Sequence, residues 1–448
     1  MIYKVLKTFP KGGVHPPENK LSAGAAIEKL PVPEQVIIPV SQHLGAPAEA
    51  AVARGDMVKA GQVIARSKGF VSANIHSSVS GKVLKVDRMP DPSGYKQTSI
   101  VINVEGDEWL ESVDRSDKLN KEISLSGEEI IKKCAESGIV GMGGATFPSH
   151  VKLSIPPGKK CDVLIINGVE CEPYLTSDHR LMLERPEELM TGTTLLMKAL
   201  GVKKAMIGIE NNKKDAIEKL GSLAGSYEGI SIHPLKVKYP QGAEKQLIKA
   251  MINREVPSGG LPVDVGTVVH NVGTACAVYD AIQKNKPLVE RVVSVSGKDM
   301  EKPMNILARV GTPVSKLIEY AGGLPESTAK VVNGGPMMGK ALASLEVPVT
   351  KGTSGIIFIS HSEAGREKIM PCIRCSKCIS VCPMGLEPYL LMTLTEKDLF
   401  DRAEKDRIMD CMECGSCSFT CPAKRPLLDY IRLGKSSVGR IIRERKQK

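Results

Sequence analysis

The sequence predicts a multidomain α/β protein, and three observations predict it. Its 448 residues exceed what one hydrophobic core fills. Its texture changes along the chain: short β-type runs, then alternating strand and helix patterns, then a compact mixed segment, then helical stretches between cysteines. Eight of its 12 cysteines fall into two copies of a C-x2-C-x2-C-x3-C-P run.

The first segment, 1–111, carries apolar runs such as EQVIIPV, GQVIA and TSIVINV between glycine, proline and serine, the pattern of a small β sandwich. The stretches 54–62 and 75–83 look like the two halves of a lipoyl-type sandwich. The hairpin lysine of such domains is missing, because 70–74 occupies its place. The domain is therefore expected to be structural or docking, without a swinging arm, and with His76 as a turn or packing residue. A charged linker leads to a central domain, 123–285. It opens on an S-x-x-E capping box at Ser126 and Glu129, with Gly138 as the helix stop. Strand-like runs at 162–167, 205–209 and 230–238 alternate with helical patterns at 186–200 and 214–224, which predicts a Rossmann-like parallel sheet. Segment 288–345 is compact enough for a β-grasp unit. A small helical, ferredoxin-like domain is expected over 363–433, followed by a basic, frayed tail at 434–448.

The doubled cysteine run is the ligand pattern of two [4Fe-4S] clusters. Three cysteines of each loop hold one cube, and the fourth serves the neighbour. By that rule Cys372, Cys375, Cys378 and Cys421 form one set, and Cys411, Cys414, Cys417 and Cys382 the other. Zinc suits the runs poorly, since zinc sites close at four ligands. Clusters of thiolates imply a reducing compartment, and the N-terminus carries no signal-peptide core. The uncharged stretches 137–151 and 265–279 hold glycines and a histidine each, so neither reads as a membrane span. The net charge of +11 suits an acidic partner or an anionic surface, while 4% aromatics speak against a nucleic-acid stacking platform. Cys134, Cys161 and Cys276 read as buried small hydrophobes, and Cys171 as core that could line a pocket.

A second site is expected around the glycine-rich string 138–152, where Gly141, Gly143 and Gly144 let backbone N–H groups approach a planar ring or a phosphate. The run VLIINGVECEPYL ends in Asn167, Glu170 and Glu172, and polar residues at a strand's C-terminal end mark the usual ligand crevice of an open α/β sheet. Glu244 follows a later strand, and Asn271 with Thr274 opens a helix suited to phosphate. The glutamates are expected to face ribose hydroxyls or a ring edge, since carboxylates repel phosphate.

The string G-x-x-G-x-G-G-A-x-F-P-x-x-x-K from Gly138 resembles the FMN-binding loop of the complex I flavoprotein subunit, with Met142 where that loop has an arginine. The whole chain is similar to the C subunit family of the Rnf electron-transport complex. GGVHPPENK from Gly12, IPVSQHLGAPA from Ile38, VVNGGPMMG from Val331 and the doubled cysteine run carry that resemblance. It implies FMN held by Gly141, Gly143, Gly144, Lys152, Asn167, Asn271 and Thr274, and NAD(H) met by Glu170, Glu172 and Glu244. It implies no acid–base catalyst, because hydride transfer needs stacking and distance. It further implies a peripheral module on the cytoplasmic face of the membrane. Its partners would be integral membrane and iron-sulfur subunits, with ferredoxin reached indirectly, in a machine that moves Na+ or H+. Two other readings stay open: a flavin and iron-sulfur cobalamin reductase of a bacterial microcompartment, and a non-enzymatic cluster-bearing scaffold.

Overall fold

Runs rich in Val and Ile form two facing antiparallel sheets in the computed structural model, which describes residues 6–92, 94–365 and 368–447. One sheet orders Gln35–Pro39, Lys96–Val104, Gly81–Pro90 and Met57–Val58; the other orders Glu49–Ala50, Val63–Arg66 and Ile75–His76. Alternate side chains, among them Val36, Ile38, Ile64, Val83 and Ile100, are buried between them. Gly81 has φ 147°, and a Cβ there would lie 2.0 Å from the Asn103 carbonyl oxygen, so only glycine passes. His76 is a buried strand residue whose imidazole burial pushes down to about 3, which keeps it neutral.

Residues 6–30 join neither sandwich sheet. Lys7 pairs with Leu235 and Val14 with Tyr239, while Ile27–Lys29 adds a parallel edge strand to a distant sheet. This strap is clamped by Lys20, whose ammonium donates to the carbonyls of Glu170, Glu172 and Leu175 at 2.7, 2.8 and 2.7 Å. Burial, with Lys213 nearby, brings that ammonium down to about 8.

The central layer is an all-parallel sheet ordered Ile230–Leu235, Ala205–Glu210, Val163–Gly168, Thr267–Asn271. Its strands are apolar on both faces, as burial under helices on both sides requires. Leu164, Ile166 and Ile207 meet the helices Gly127–Glu136, Pro186–Leu200 and Val272–Gln283, while Val163, Ile165 and Met206 meet Glu244–Ile252. The Ser126–Glu129 capping box forms, with both reciprocal bonds present. Pro186 opens its helix, and Gly201 ends it in the left-handed region.

The third sheet has six strands in the order Ile27–Lys29, Met304–Arg309, Glu290–Gly297, Gly355–Ser360, Thr328–Asn333, Lys340–Ala341. Gly355–Ser360 runs parallel to Glu290–Gly297 at its centre, so this unit extends past the 345 expected from sequence. The C-terminal layer packs the helices Pro388–Glu396, Phe400–Lys405 and Leu427–Gln447 around Leu391, Leu427 and Ile431. The tail expected to fray belongs to the last helix: Val438 is buried, and Arg445 pairs with Asp401 and Glu404. No helix among the described residues is long and apolar enough to cross a membrane.

Candidate functional site

Asn167 and Asn271 are register neighbours at the C-terminal edge of adjacent parallel strands, so the sheet itself places them side by side. Asn271 caps the helix Val272–Gln283 by accepting from the Gly273 N–H at 2.8 Å, and donates to Asp178 at 2.6 Å. Asn167 donates to the Gly242 carbonyl at 2.7 Å and accepts from the Val169 N–H. The glycine loop lies across this edge. The Gly141 N–H donates to the Phe147 carbonyl, and the Met142 N–H donates to the Thr274 hydroxyl at 2.9 Å. A Cβ at Gly143 would come within 2.9 Å of the Asn271 amide, whereas Gly144 opens onto free space. Lys152 donates to Glu244 at 2.6 Å and to the Val269 carbonyl at 3.2 Å. An exposed glycine backbone, two strand-end amides and one lysine fit a planar, phosphate-bearing group.

Glu170 and Glu172 depart from their expected ligand-facing role. The Glu170 carboxylate accepts from the N–H groups of Asp178 and His179 at 2.8 and 3.2 Å, which caps the helix Ser177–Glu184. The Glu172 carboxylate accepts from the N–H groups of Met337 and Met338 at 3.1 and 2.9 Å, and from the Tyr239 hydroxyl at 3.4 Å. Burial raises it to about 7 against the pull of those donors. Glu244 alone of the three stays beside the glycine loop's lysine. Cys134 and Cys276 are buried as expected. Cys161 is only half-buried, and the Cys171 sulfur accepts from the Gly242 N–H.

The loop around Met337 and Met338 is a wedge. Gly335 has no room for a Cβ, which would sit 2.2 Å from Glu172 Oε2, and a Cβ at Gly415 would lie 2.8 Å from the Met337 carbonyl. The Gly335→Ala variant should therefore lose roughly 1–3 kcal/mol through overpacking. A urea or thermal melt reads this directly, and an unchanged midpoint refutes the wedge.

Two buried charges escaped sequence reasoning. Arg291 donates from Nε to the Thr353 carbonyl and from Nη2 to the Met142 carbonyl, both at 2.7 Å, with Nη1 unpartnered. Asp178 also keeps one oxygen unpartnered; burial first, then the Glu170 charge, pushes its carboxyl up to about 7. Neither sits in a motif, so no local signal marks them.

The two cysteine loops share one backbone. Arg374 and Glu413 take φ of 57° and 60° just before the second cysteine of each run, and Ser376 and Gly415 take 58° and 77° just after it. Such left-handed positions curl a loop so that successive N–H groups face inward. The Glu413 N–H points at the Cys411 sulfur at 3.4 Å, and the Leu386 N–H at the Cys382 sulfur at 3.3 Å. The thiols also sort into two electrostatic neighbourhoods. Cys382 acts on Cys411, Cys414 and Cys417, while Cys372 and Cys421 act on Cys378. A small apolar hollow lies among Cys382, Cys411, Cys414 and Cys417, walled by Leu386, Leu391, Leu428 and Ile431. Four thiols around one apolar hollow fit an inorganic cluster. This inner group abuts the central layer, where the Tyr239 hydroxyl donates to the Cys414 carbonyl at 2.7 Å. The strap reaches it too, through the Gly13 N–H and the Val381 carbonyl. In the outer group, Cys372 and Cys375 are exposed.

A glycine cradle on a parallel sheet, joined to paired cysteine loops, defines an electron-transfer flavoprotein with iron-sulfur centres. Residues 134–280 match the Nuo51 FMN-binding domain, 7–107 the RnfC barrel sandwich hybrid domain, 292–341 the SLBB domain and 366–422 the 4Fe-4S dicluster domain. The chain is 49% identical to the C subunit of the proton-translocating ferredoxin:NAD(+) oxidoreductase complex of Clostridium ljungdahlii, over 96% of its own length and 94% of the relative's. It is 45% identical to the C subunit of the Na(+)-translocating ferredoxin:NAD(+) oxidoreductase complex of Acetobacterium woodii, over 96% of each. It belongs to the RnfC family, the C subunits of ion-translocating ferredoxin:NAD(+) oxidoreductase complexes. Among solved structures, a crystal structure of NAD+-reducing [NiFe]-hydrogenase in the air-oxidized state aligns with a TM-score of 0.47 and 20% identity, covering 62% of this chain and 54% of that one.

Proposed function

We propose that this chain is the peripheral NAD(H)-oxidoreducing subunit of a membrane-bound ferredoxin:NAD oxidoreductase, passing electrons between NAD(H), FMN and two [4Fe-4S] clusters. The observation that carries the reading is Tyr239. It follows a strand of the flavin-type layer and donates to the backbone of Cys414, so crevice and inner thiol group share one residue. FMN, when bound, exchanges two electrons with nicotinamide and single electrons with a cluster. Gly141, Gly143 and Gly144 admit its ring, Asn167 and Asn271 orient it, Thr274 braces the loop, and Lys152 balances negative charge. Glu244, held at the rim by Lys152, is the leading NAD(H) contact. Glu170 and Glu172 act through the backbone they order. The inner cluster takes Cys382, Cys411, Cys414 and Cys417; the outer takes Cys372, Cys375, Cys378 and Cys421. The fold assignments that go with this reading are a lipoyl-like sandwich, a Rossmann-like FMN/NAD layer, a β-grasp unit and a ferredoxin-like end. The strand order of the third sheet, with its two central strands parallel, supports the β-grasp assignment. Other subunits of the complex are its partners, on the cytoplasmic side.

Anaerobically prepared protein tests this. It should carry about eight irons per chain and one FMN, and both chromophores should bleach with NADH. Zinc in place of iron, or no spectral response to NADH, refutes it.

A further inference from the structure

The two thiol groups differ in surroundings. The inner one is walled by leucine and isoleucine, but the outer one lies at the surface with Cys372 and Cys375 exposed. Around it stand large apolar side chains that nothing among the described residues covers: Ile369 is 56% exposed, Ile373 68% and Phe419 50%, with Met370 and Tyr389 also exposed. They flank the outer cysteines along the chain: Ile373 sits between Cys372 and Cys375, the Met370 N–H donates to the carbonyl of Ala423, two residues after Cys421, and Phe419 is two residues before Cys421. Clustered exposed apolar side chains mark an interaction site. The rim is net cationic: Lys368, Arg374 and Lys377 are exposed, against Glu387, which accepts from the Tyr389 hydroxyl at 3.1 Å. An apolar centre with a charged rim is the anatomy of a protein–protein interface, and a basic rim selects an acidic one.

We infer that this face docks another subunit of the same complex, a protein presenting an apolar centre, a carboxylate rim and its own one-electron carrier. The inference rests on the function proposed above, and adds where electrons cross to the next protein. In each crossing one electron is lost on this side and one gained by the partner's carrier, so one NADH supplies two crossings. Burying Ile369, Met370, Ile373 and Phe419 would also shut water out from the exposed thiol pair.

The test compares wild-type holoprotein with Ile369→Glu and, on a separate element, Phe419→Glu. NADH should reduce the flavin and both clusters in either variant as in wild type, read by absorbance and EPR. Binding to washed membranes from cells lacking this subunit should fall at least tenfold, and NADH-driven reduction of membrane-bound carriers should disappear. Undiminished membrane binding by both variants overturns the proposal. So does an equal loss of binding to protein-free phosphatidylglycerol–phosphatidylcholine vesicles, which would make the face a lipid contact. A loss confined to transfer to soluble ferredoxin overturns it as well. Absence of flavin or iron from wild-type protein strikes the function proposed above instead, and the membrane-binding measurement still decides the docking face.

Discussion

Replacing Cys382 by serine should abolish the cluster built on the second cysteine run and spare the one that begins at Cys372. Sequence proximity alone predicts the opposite, because Cys382 closes the first run. In the fold Cys382 lines the same cavity as Cys411, Cys414 and Cys417. Iron should fall from about eight to about four per chain, as it should for Cys414→Ser, and the two variants should share one residual EPR signal. Cys421→Ser and Cys375→Ser should share the other. The inner loss should also loosen the C-terminal layer, since the strap at Gly13 and the hydroxyl of Tyr239 both reach backbone that this group orders. A Cys382→Ser protein that pairs spectroscopically with Cys375→Ser would show local ligation and refute the crossed arrangement.

Local chemistry was legible in the sequence, and long-range partnership was not. The helices Pro186–Leu200 and Lys214–Ala224 end where their periodicity ends, and in the first case Pro186 is its start signal and Gly201 its stop signal. The strand Val163–Gly168 and the glycine loop after Gly138 were readable for the same reason. Ile27–Lys29 was not, because a three-residue edge strand has no period to read and its partner lies in another domain. Gly355–Ser360 fell outside its expected unit because parallel pairing to Glu290–Gly297 leaves no hairpin signal between them. The glutamates show the same limit within the site. A carboxylate at a strand end looks like a ligand contact, yet Glu170 finds its donors on the next helix and Glu172 on a loop of the third layer. The basic tail misled in the other direction: its charge suggested a solvated end, while Val438 and Ile442 hold that helix against the cluster layer.

The Arg291→Met variant should lose about 3–5 kcal/mol, because removing one partner of a buried charge system leaves the others uncompensated. Arg291 is 1% exposed, and its guanidinium faces both Asp178 and Glu170, with Lys213 also acting on Asp178 and Lys20 on Glu170. It also holds the glycine loop from behind through the Met142 carbonyl. Arg291→Lys should recover only part of the loss, since one ammonium cannot reproduce a planar fork bonded to both Met142 and Thr353. Urea midpoints of the cofactor-free protein give the stability term, and FMN titration gives the loop's: affinity should fall at least tenfold as the loop loses its brace. The double variant Arg291→Met, Asp178→Asn separates the causes. If the unpaired carboxylate dominates, the double variant is more stable than Arg291→Met alone; if the two orphaned carbonyls dominate, the second change recovers nothing, because the new amide's oxygen still accepts from Asn271 while both carbonyls stay unpaired. A midpoint shift within about 0.5 kcal/mol of wild type, the size of an ordinary surface substitution, would show that Arg291 is not the support of this loop.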